Sequence, residues 1–388
     1  MTAVVEDLNP ATWRDSKRYA WLLGLIVPTV PFMSYGLAQL TGSAVAWFFG
    51  PLLVFGLFPL LDLLIGMDAS NPPDSVVKWL EQDRYYRWCT YVFIPIQYAG
   101  LAFACWLWAS GDLSALAGIG LALSVGVVSG VAINTAHELG HKRASLERWL
   151  SKIALAQSAY GHFFIEHNRG HHVRVATPED PASSRLGESF YRFWPRTVAG
   201  SLRSSWEIES ERLERAGHSR FGIRNDIINA WLMSVVLFGG LIAAFGVEIA
   251  PYLLIQAVFG FSLLEVVNYL EHYGLLRQKR DDGSGRYERT APEHSWNSDN
   301  VASNVLLYHL QRHSDHHAHP MRRFQSLRHF DEAPELPSGY ATMIVLAAVP
   351  PLWRRVMDPR VVAHYDGDVT RANMLPSKRE KYLRRYAA

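Results

Sequence analysis

The run SALAGIGLALSVGVVSGVAINTAHELGHK, residues 114–142, decides how the chain folds. Its segment 114–136 is apolar and long enough to span a bilayer as a helix, which takes roughly 20 residues. It runs without a break into His137-Glu138-Leu-Gly-His141-Lys142, where two histidines stand one helical turn apart. Five more segments have the same length and character, at about 19–40, 44–66, 88–109, 227–245 and 250–270. Short connectors at Thr41-Gly-Ser43, Ser110-Gly-Asp-Leu113 and Gly246-Val-Glu-Ile249 join the spans into three hairpins.

Every Lys and Arg lies outside the spans and these connectors, in the N-terminal tail, 67–87, 137–226 or 271–388. Cationic loops stay on the cytoplasmic side, so both termini and all large loops are predicted to be cytoplasmic. The expected fold is all-α and polytopic: six transmembrane helices with a cytoplasmic, histidine-rich helical cap from 137–226 and 271–388, in one integral-membrane catalytic domain over 1–388. Mean hydropathy of −0.01 hides this, because it averages long apolar runs with very polar segments. A soluble bundle would need six helices apolar all round and an accidental segregation of charge. The net charge of +2 gives no reason to expect nucleic acid. Cys89 and Cys105 lie in or beside one span and make neither a disulfide framework nor a metal-binding pair. Glu6 and Asp7, with no short apolar stretch and cleavage site, do not read as a signal peptide. Pro28, Pro31, Pro51, Pro59 and Pro95 interrupt the first three spans, and kinked helices can frame a cavity. Residues 341–353 are too short to span and are expected to dock at the interface or against the bundle.

Histidines carry the chemistry. Beyond His137 and His141 come Glu166-His167-Asn168-Arg-Gly170-His171-His172, read as another i, i+4 pair with an adjacent third, and Asn268-Tyr-Leu-Glu271-His272 at the end of the sixth span. Residues 309–320 hold His313, His316 and His317, which on a helix share one face and can converge on a single point. One metal cannot use nine imidazoles, whereas two can take four or five each and keep positions open for dioxygen. His162, His218, His294, His309, His319, His329 and His364 lack such spacing and are expected at the surface or in support. Two other classes compete. His137-Glu138-x-x-His141 fits a membrane zinc metalloprotease with Glu138 as general base, but leaves seven clustered histidines without a role. A metal transporter would carry its ligands along the spans rather than past their ends.

The four motifs, His-Glu-Leu-Gly-His-Lys, Glu-His-Asn-Arg-Gly-His-His, Asn-Tyr-Leu-Glu-His-Tyr-Gly-Leu and Leu-Gln-Arg-His-Ser-Asp-His-His-Ala, together resemble those of the integral-membrane alkane 1-monooxygenases, the alkane omega-hydroxylases. Three of the boxes are shared with the wider membrane fatty-acid desaturase and hydroxylase superfamily, and the motif around His272 points to the alkane branch. The resemblance covers nearly the whole chain, without a departure at the nine histidines. It implies a bacterial inner-membrane, non-haem diiron enzyme that inserts one oxygen atom of O2 into the terminal methyl of medium-chain linear alkanes. The implied ligands of two iron ions are His137, His141, His167, His171, His172, His272, His313, His316 and His317. Desaturation or hydroxylation of another lipid is the alternative within the superfamily.

Glu138, Glu166, Glu271 and Asp315 adjoin these histidines, and Glu271 or Asp315 is expected to accept the outer imidazole N–H of a ligand. Asp62 and Glu265 are ionisable groups inside spans; for Asp62, snorkelling or a helix-packing hydrogen bond is the expected role. Val54, Phe55 and Phe58 with Leu263, Leu264 and Val267 are expected to line a tunnel for the chain of the substrate. The chain has no dinucleotide fingerprint, since Gly118-Ile-Gly120 lies within a span, and no haem or iron–sulfur motif. Electrons must come from another protein, and the resemblance implies a rubredoxin, itself reduced by an NAD(P)H-dependent rubredoxin reductase. The basic end of the chain, with Arg354, Arg355, Arg360, Arg371, Lys378, Arg379, Lys381, Arg384 and Arg385 against Asp358, Asp366, Asp368 and Glu380, suits either an acidic electron carrier or anionic lipid head groups.

Overall fold

The computed structural model describes residues 13–386, so the reading of Glu6 and Asp7 lies outside the described residues. Among the described residues, six helices are long and apolar enough to cross a membrane: Ala20–Thr41, Ala44–Ile65, Arg84–Ala109, Ala115–Gly140, Asp226–Phe245 and Val247–Glu271. Among the described residues there is no strand, only isolated bridges such as Met67 with Asn300. The protein is a multi-pass, all-α membrane protein. Its outward-facing side chains agree with that environment: Leu63, Leu64, Val235, Val236 and Leu254 stand exposed along the spans, where they cost nothing against lipid.

Prolines set the irregularities. The first span is a 3-10 helix over Ala20–Thr29 before turning α-helical at Val30–Thr41, around Pro28 and Pro31. In the second, Pro59 cannot donate to Phe55, and the preceding turn Leu53–Leu57 widens to a π-helix. The third breaks at Val92, three residues before Pro95.

The fourth span is the axis of the bundle and the most buried of the six. It meets the sixth closely through Gly126 and Gly130, where a Cβ would lie 3.0 Å from the Gln256 carbonyl oxygen and 3.1 Å from that of Gly260, respectively. Small residues at this spacing let two apolar helices approach where no hydrophobic driving force separates protein from lipid. The close approach fixes the histidines at the end of the fourth span relative to His272 at the end of the sixth.

The segment expected to dock short of spanning forms two helices, Tyr340–Ala347 and Pro350–His364. The first packs against the second and sixth spans. Asp62 makes the helix-packing bond rather than snorkelling: its carboxylate accepts from Ser303 N at 2.9 Å and Ser303 Oγ at 2.5 Å, which satisfies the open start of helix Val301–Leu306. Glu265 accepts from Tyr160 Oη at 2.7 Å.

Candidate metal centre

The nine histidines converge as two adjoining groups of five and four. His137, His141, His167, His172 and His316 form the first. Their Nε2 atoms lie 2.8 Å apart for His137 and His316, 3.0 Å for His141 and His167, 3.1 Å for His167 and His172, and 3.0 Å for His172 and His316. His171, His272, His313 and His317 form the second, with His313 and His317 Nε2 2.9 Å apart. The groups touch at His172 and His317, whose ring centroids are 4.4 Å apart.

Helix winding decides which histidine goes where, and it corrects two expectations. Residues Glu166–His171 form a π-helix, in which positions i and i+5 share a face. His167 therefore pairs with His172, and His171 turns into the other group instead of pairing with His167 as an α-helical i, i+4 spacing implies. Helix His313–Ala318 does not aim its three histidines at one point either. His313 and His317 stay together one turn apart, while His316 swings into the five-histidine group. Buried Arg312 anchors this helix, donating from Nη2 to Asp68 O at 2.7 Å, from Nη1 to Leu327 O at 2.9 Å and from Nε to Asp299 Oδ1 at 3.2 Å.

The carboxylates behave differently from expectation. Asp315 binds His319 Nδ1 at 2.8 Å and Arg322 at 2.6 Å, not the outer nitrogen of a clustered histidine. Glu271 does reach one, but on the inner side: its Oε2 lies 3.2 Å from His313 Nε2. Glu138 is ion-paired with Lys142 Nζ at 3.0 Å, and Glu166 with Arg174 at 2.8 Å. Glu138 so engaged is poorly placed as the general base of a zinc protease. The outer acceptor is Asp180, which receives His171 Nδ1–H at Oδ2, 2.9 Å away, and His272 Nδ1 donates to the backbone carbonyl of His294 at 3.2 Å. No spacing rule links Asp180 to a histidine nine residues earlier, and a backbone acceptor leaves no side-chain signal at all.

These residues fit a metal centre. The inward Nε2 atoms of His171 and His272 are buried and without a hydrogen-bond partner, a cost of about 1–3 kcal/mol each if nothing else met them. Burial first, and then repulsion between neighbouring rings, holds His141, His167, His172, His313, His316 and His317 well below the ordinary histidine range and His272 at about 3. Their lone pairs are free for a cation at neutral pH. At a metal–imidazole distance of about 2.1 Å, ligands at right angles sit ~3.0 Å apart and tetrahedral ones ~3.4 Å. The spacings of 2.8–3.1 Å in the larger group match the former.

A narrow apolar cavity of about 70 Å3 leads to this centre. Its inner end is closed by His137 and His167 of one group, His313 of the other, and Glu271. Five of the six residues expected along a tunnel line it: Val54, Phe58, Leu263, Leu264 and Val267. Phe55 does not; its ring packs edge-on against Phe259, with centroids 6.5 Å apart. The π-helical turn over Leu53–Leu57 breaks the regular period that would have put Phe55 on the face of Phe58. Leu307, Leu310, Ala341 and Ile344 also line it, from segments whose sequence carries no sign of it.

Comparison with known proteins agrees with this architecture. Residues 113–347 match the family model described as fatty acid desaturase. The alkane 1-monooxygenase of Acinetobacter baylyi is 50% identical over 378 residues, covering 96% of this chain and 91% of the relative. Alkane 1-monooxygenase 1 of Alcanivorax borkumensis is 46% identical over 380 residues, 98% and 94% of the two chains. The xylene/toluene monooxygenase hydroxylase component of Pseudomonas putida is more distant, 28% identical over 235 residues, or 60% of this chain and 62% of the relative. With such identity along nearly its whole length, the chain belongs to the alkane 1-monooxygenase family, within the superfamily of membrane fatty acid desaturases.

Proposed function

We propose that the protein is an alkane 1-monooxygenase that hydroxylates the terminal methyl of medium-chain linear alkanes, using two non-haem iron ions held by the nine histidines. The observation that carries this reading is the apolar cavity closed at its inner end by histidines of both groups. The reaction balances as R–CH3 + O2 + 2 e− + 2 H+ → R–CH2OH + H2O. When bound, the iron pair supplies the activation of O2. The protein's own part is to orient and to exclude. The apolar side chains of the wall offer a saturated chain dispersion contact and help keep water from its methyl end. Asn134 and Asn268, the other polar groups at the wall, are engaged with Leu307 O at 2.7 Å and Glu265 Oε2 at 3.3 Å. Glu271 is the residue placed to hold or pass a proton, at Oε2 between cavity and histidines.

Electrons are proposed to come from a rubredoxin, reduced in turn by its reductase. The chain is proposed to sit in the bacterial inner membrane with both termini cytoplasmic, supported by the absence of Lys and Arg from the apolar segments 19–40, 44–66, 88–109, 114–136, 227–245 and 250–270 and from their short connectors. Metal analysis of the purified protein, with octane, reductant, rubredoxin and 18O2, tests the reading. We expect about two irons per chain and 18O in 1-octanol. One zinc per chain and no labelled alcohol would overturn it.

Chain length is expected to be set at the remote end. Val54 packs with Val127, Val128 and Val131, which precede His137 by six to ten residues, or ~9–15 Å along a helix. Val54→Trp fills that end, so turnover of dodecane should fall several-fold relative to octane. A ratio equal to wild type in competition between the two alkanes would place the end of the chain elsewhere.

A further inference from the structure

Helices Pro350–His364 and Arg379–Arg385 enclose a second cavity, of about 340 Å3, remote in character from the first. Arg354, Arg355, Lys378, Lys381 and Arg385 line it, with Asp358 as the single acid among the described residues. Asp358 offsets five cations only in part. It is buried, both its oxygens accept tyrosine hydroxyls, from Tyr273 at 2.8 Å and Tyr382 at 2.5 Å, and burial pushes its carboxyl up. Glu380, the acid of the last helix, pairs with Arg384 at 3.2 Å instead. Burial, and then the neighbouring Arg354, hold the Lys378 ammonium below its ordinary range, although Asp358 acts in the opposite sense. Among the described residues, cations are gathered here with too few anions to match them, an arrangement that repels itself unless a further anion completes it.

An apolar face adjoins this cavity. Helix Tyr340–Ala347 lies alongside the second span as far as Leu53–Leu57 and contributes Ala341 and Ile344 to the substrate cavity, so it sits at membrane depth. Its outer side and the start of the next helix expose Val345, Val349 and Leu352, immediately before Arg354 and Arg355. Bare apolar surface that runs into a cationic hollow is the outline of an amphiphile: acyl chains against one, a charged head in the other.

We propose that this hollow binds the phosphate of an anionic phospholipid whose chains lie along Val345, Val349 and Leu352. An acidic protein would find the cations but would leave the apolar strip uncovered.

The test uses the full chain purified in detergent, with bound lipid counted by native mass spectrometry. Dioctanoyl phosphatidylglycerol should bind at least about 10-fold tighter than dioctanoyl phosphatidylcholine, and the triple variant Arg355→Gln, Lys381→Gln, Arg385→Gln should lose that preference. All three side chains are exposed, so the fold tolerates the change. Equal binding of the two lipids, or unchanged preference in the variant, overturns the proposal. Competition by millimolar inorganic phosphate as effective as by the lipid would show a site for free anions instead. A variant that keeps the lipid preference but raises the KM for rubredoxin would make this the surface for the electron carrier.

Discussion

Replacing His172 by alanine should lower the metal content from about two ions per chain to about one and reduce alkane hydroxylation by about 10³-fold or more, the equivalent of the several kcal/mol a bound metal contributes. This ring sits at the seam of the centre. Its Nε2 is 3.1 Å from that of His167 and 3.0 Å from that of His316, and its ring lies against His317 of the other group. Removing it opens one group and unsupports a wall of the other. The matching control is His162→Ala. His162 is buried, its Nε2 lacks a partner as those of His171 and His272 do, and burial lowers it to about 4, yet it faces Tyr160 and belongs to neither group. His162→Ala should retain both ions, with some loss of stability. Iron analysis of the two purified variants decides the matter, since equal loss of metal from both would mean that burial, not grouping, marks a ligand here.

The spans, the hairpins and the identity of the clustered histidines were legible in the sequence, for one physical reason. A bilayer imposes a length and an apolarity that no other environment demands, and imidazoles placed just past such spans stand out against the apolar background. How the histidines divide was not legible. Reasoning by faces assumes 3.6 residues per turn, and the chain departs from that period at Glu166–His171 and at Leu53–Leu57. The first departure sends His171 away from His167; the second turns Phe55 out of the cavity. Adjacency in sequence misled in the same way for Asp315, which stabilises Arg322 and His319 on the outer side of its helix. Walls from distant segments, such as Leu307 and Ile344, come together only through tertiary packing, and their sequence differs in no way from ordinary core.

Asp180→Asn tests what the side chain behind the four-histidine group does, and it should weaken metal binding there by ~10–100-fold. Burial pushes the Asp180 carboxyl up, but His171 beside it and the Ser183 hydroxyl outweigh that and hold it at about 2. As a carboxylate it accepts only: from Ala182 N at Oδ1, 3.1 Å away, and from Ser183 Oγ and His171 Nδ1 at Oδ2, 2.6 and 2.9 Å away. His171 thereby keeps its proton on Nδ1 and its lone pair on Nε2, facing the metal position. Asparagine has one acceptor and one donor in this place. With its NH2 toward Ala182 N–H two donors collide, whereas with it toward His171 the ring must accept at Nδ1 and carry its proton on Nε2, where a metal would bind. Asparagine should therefore do no better than alanine, although it is closer in shape. A purely structural role predicts the opposite order, with asparagine near wild type and alanine impaired. Titration of the metal-free variants with Fe(II), alongside their melting temperatures, separates the two. Wild-type affinity in Asp180→Asn would show that proton placement on His171 does not depend on this carboxylate.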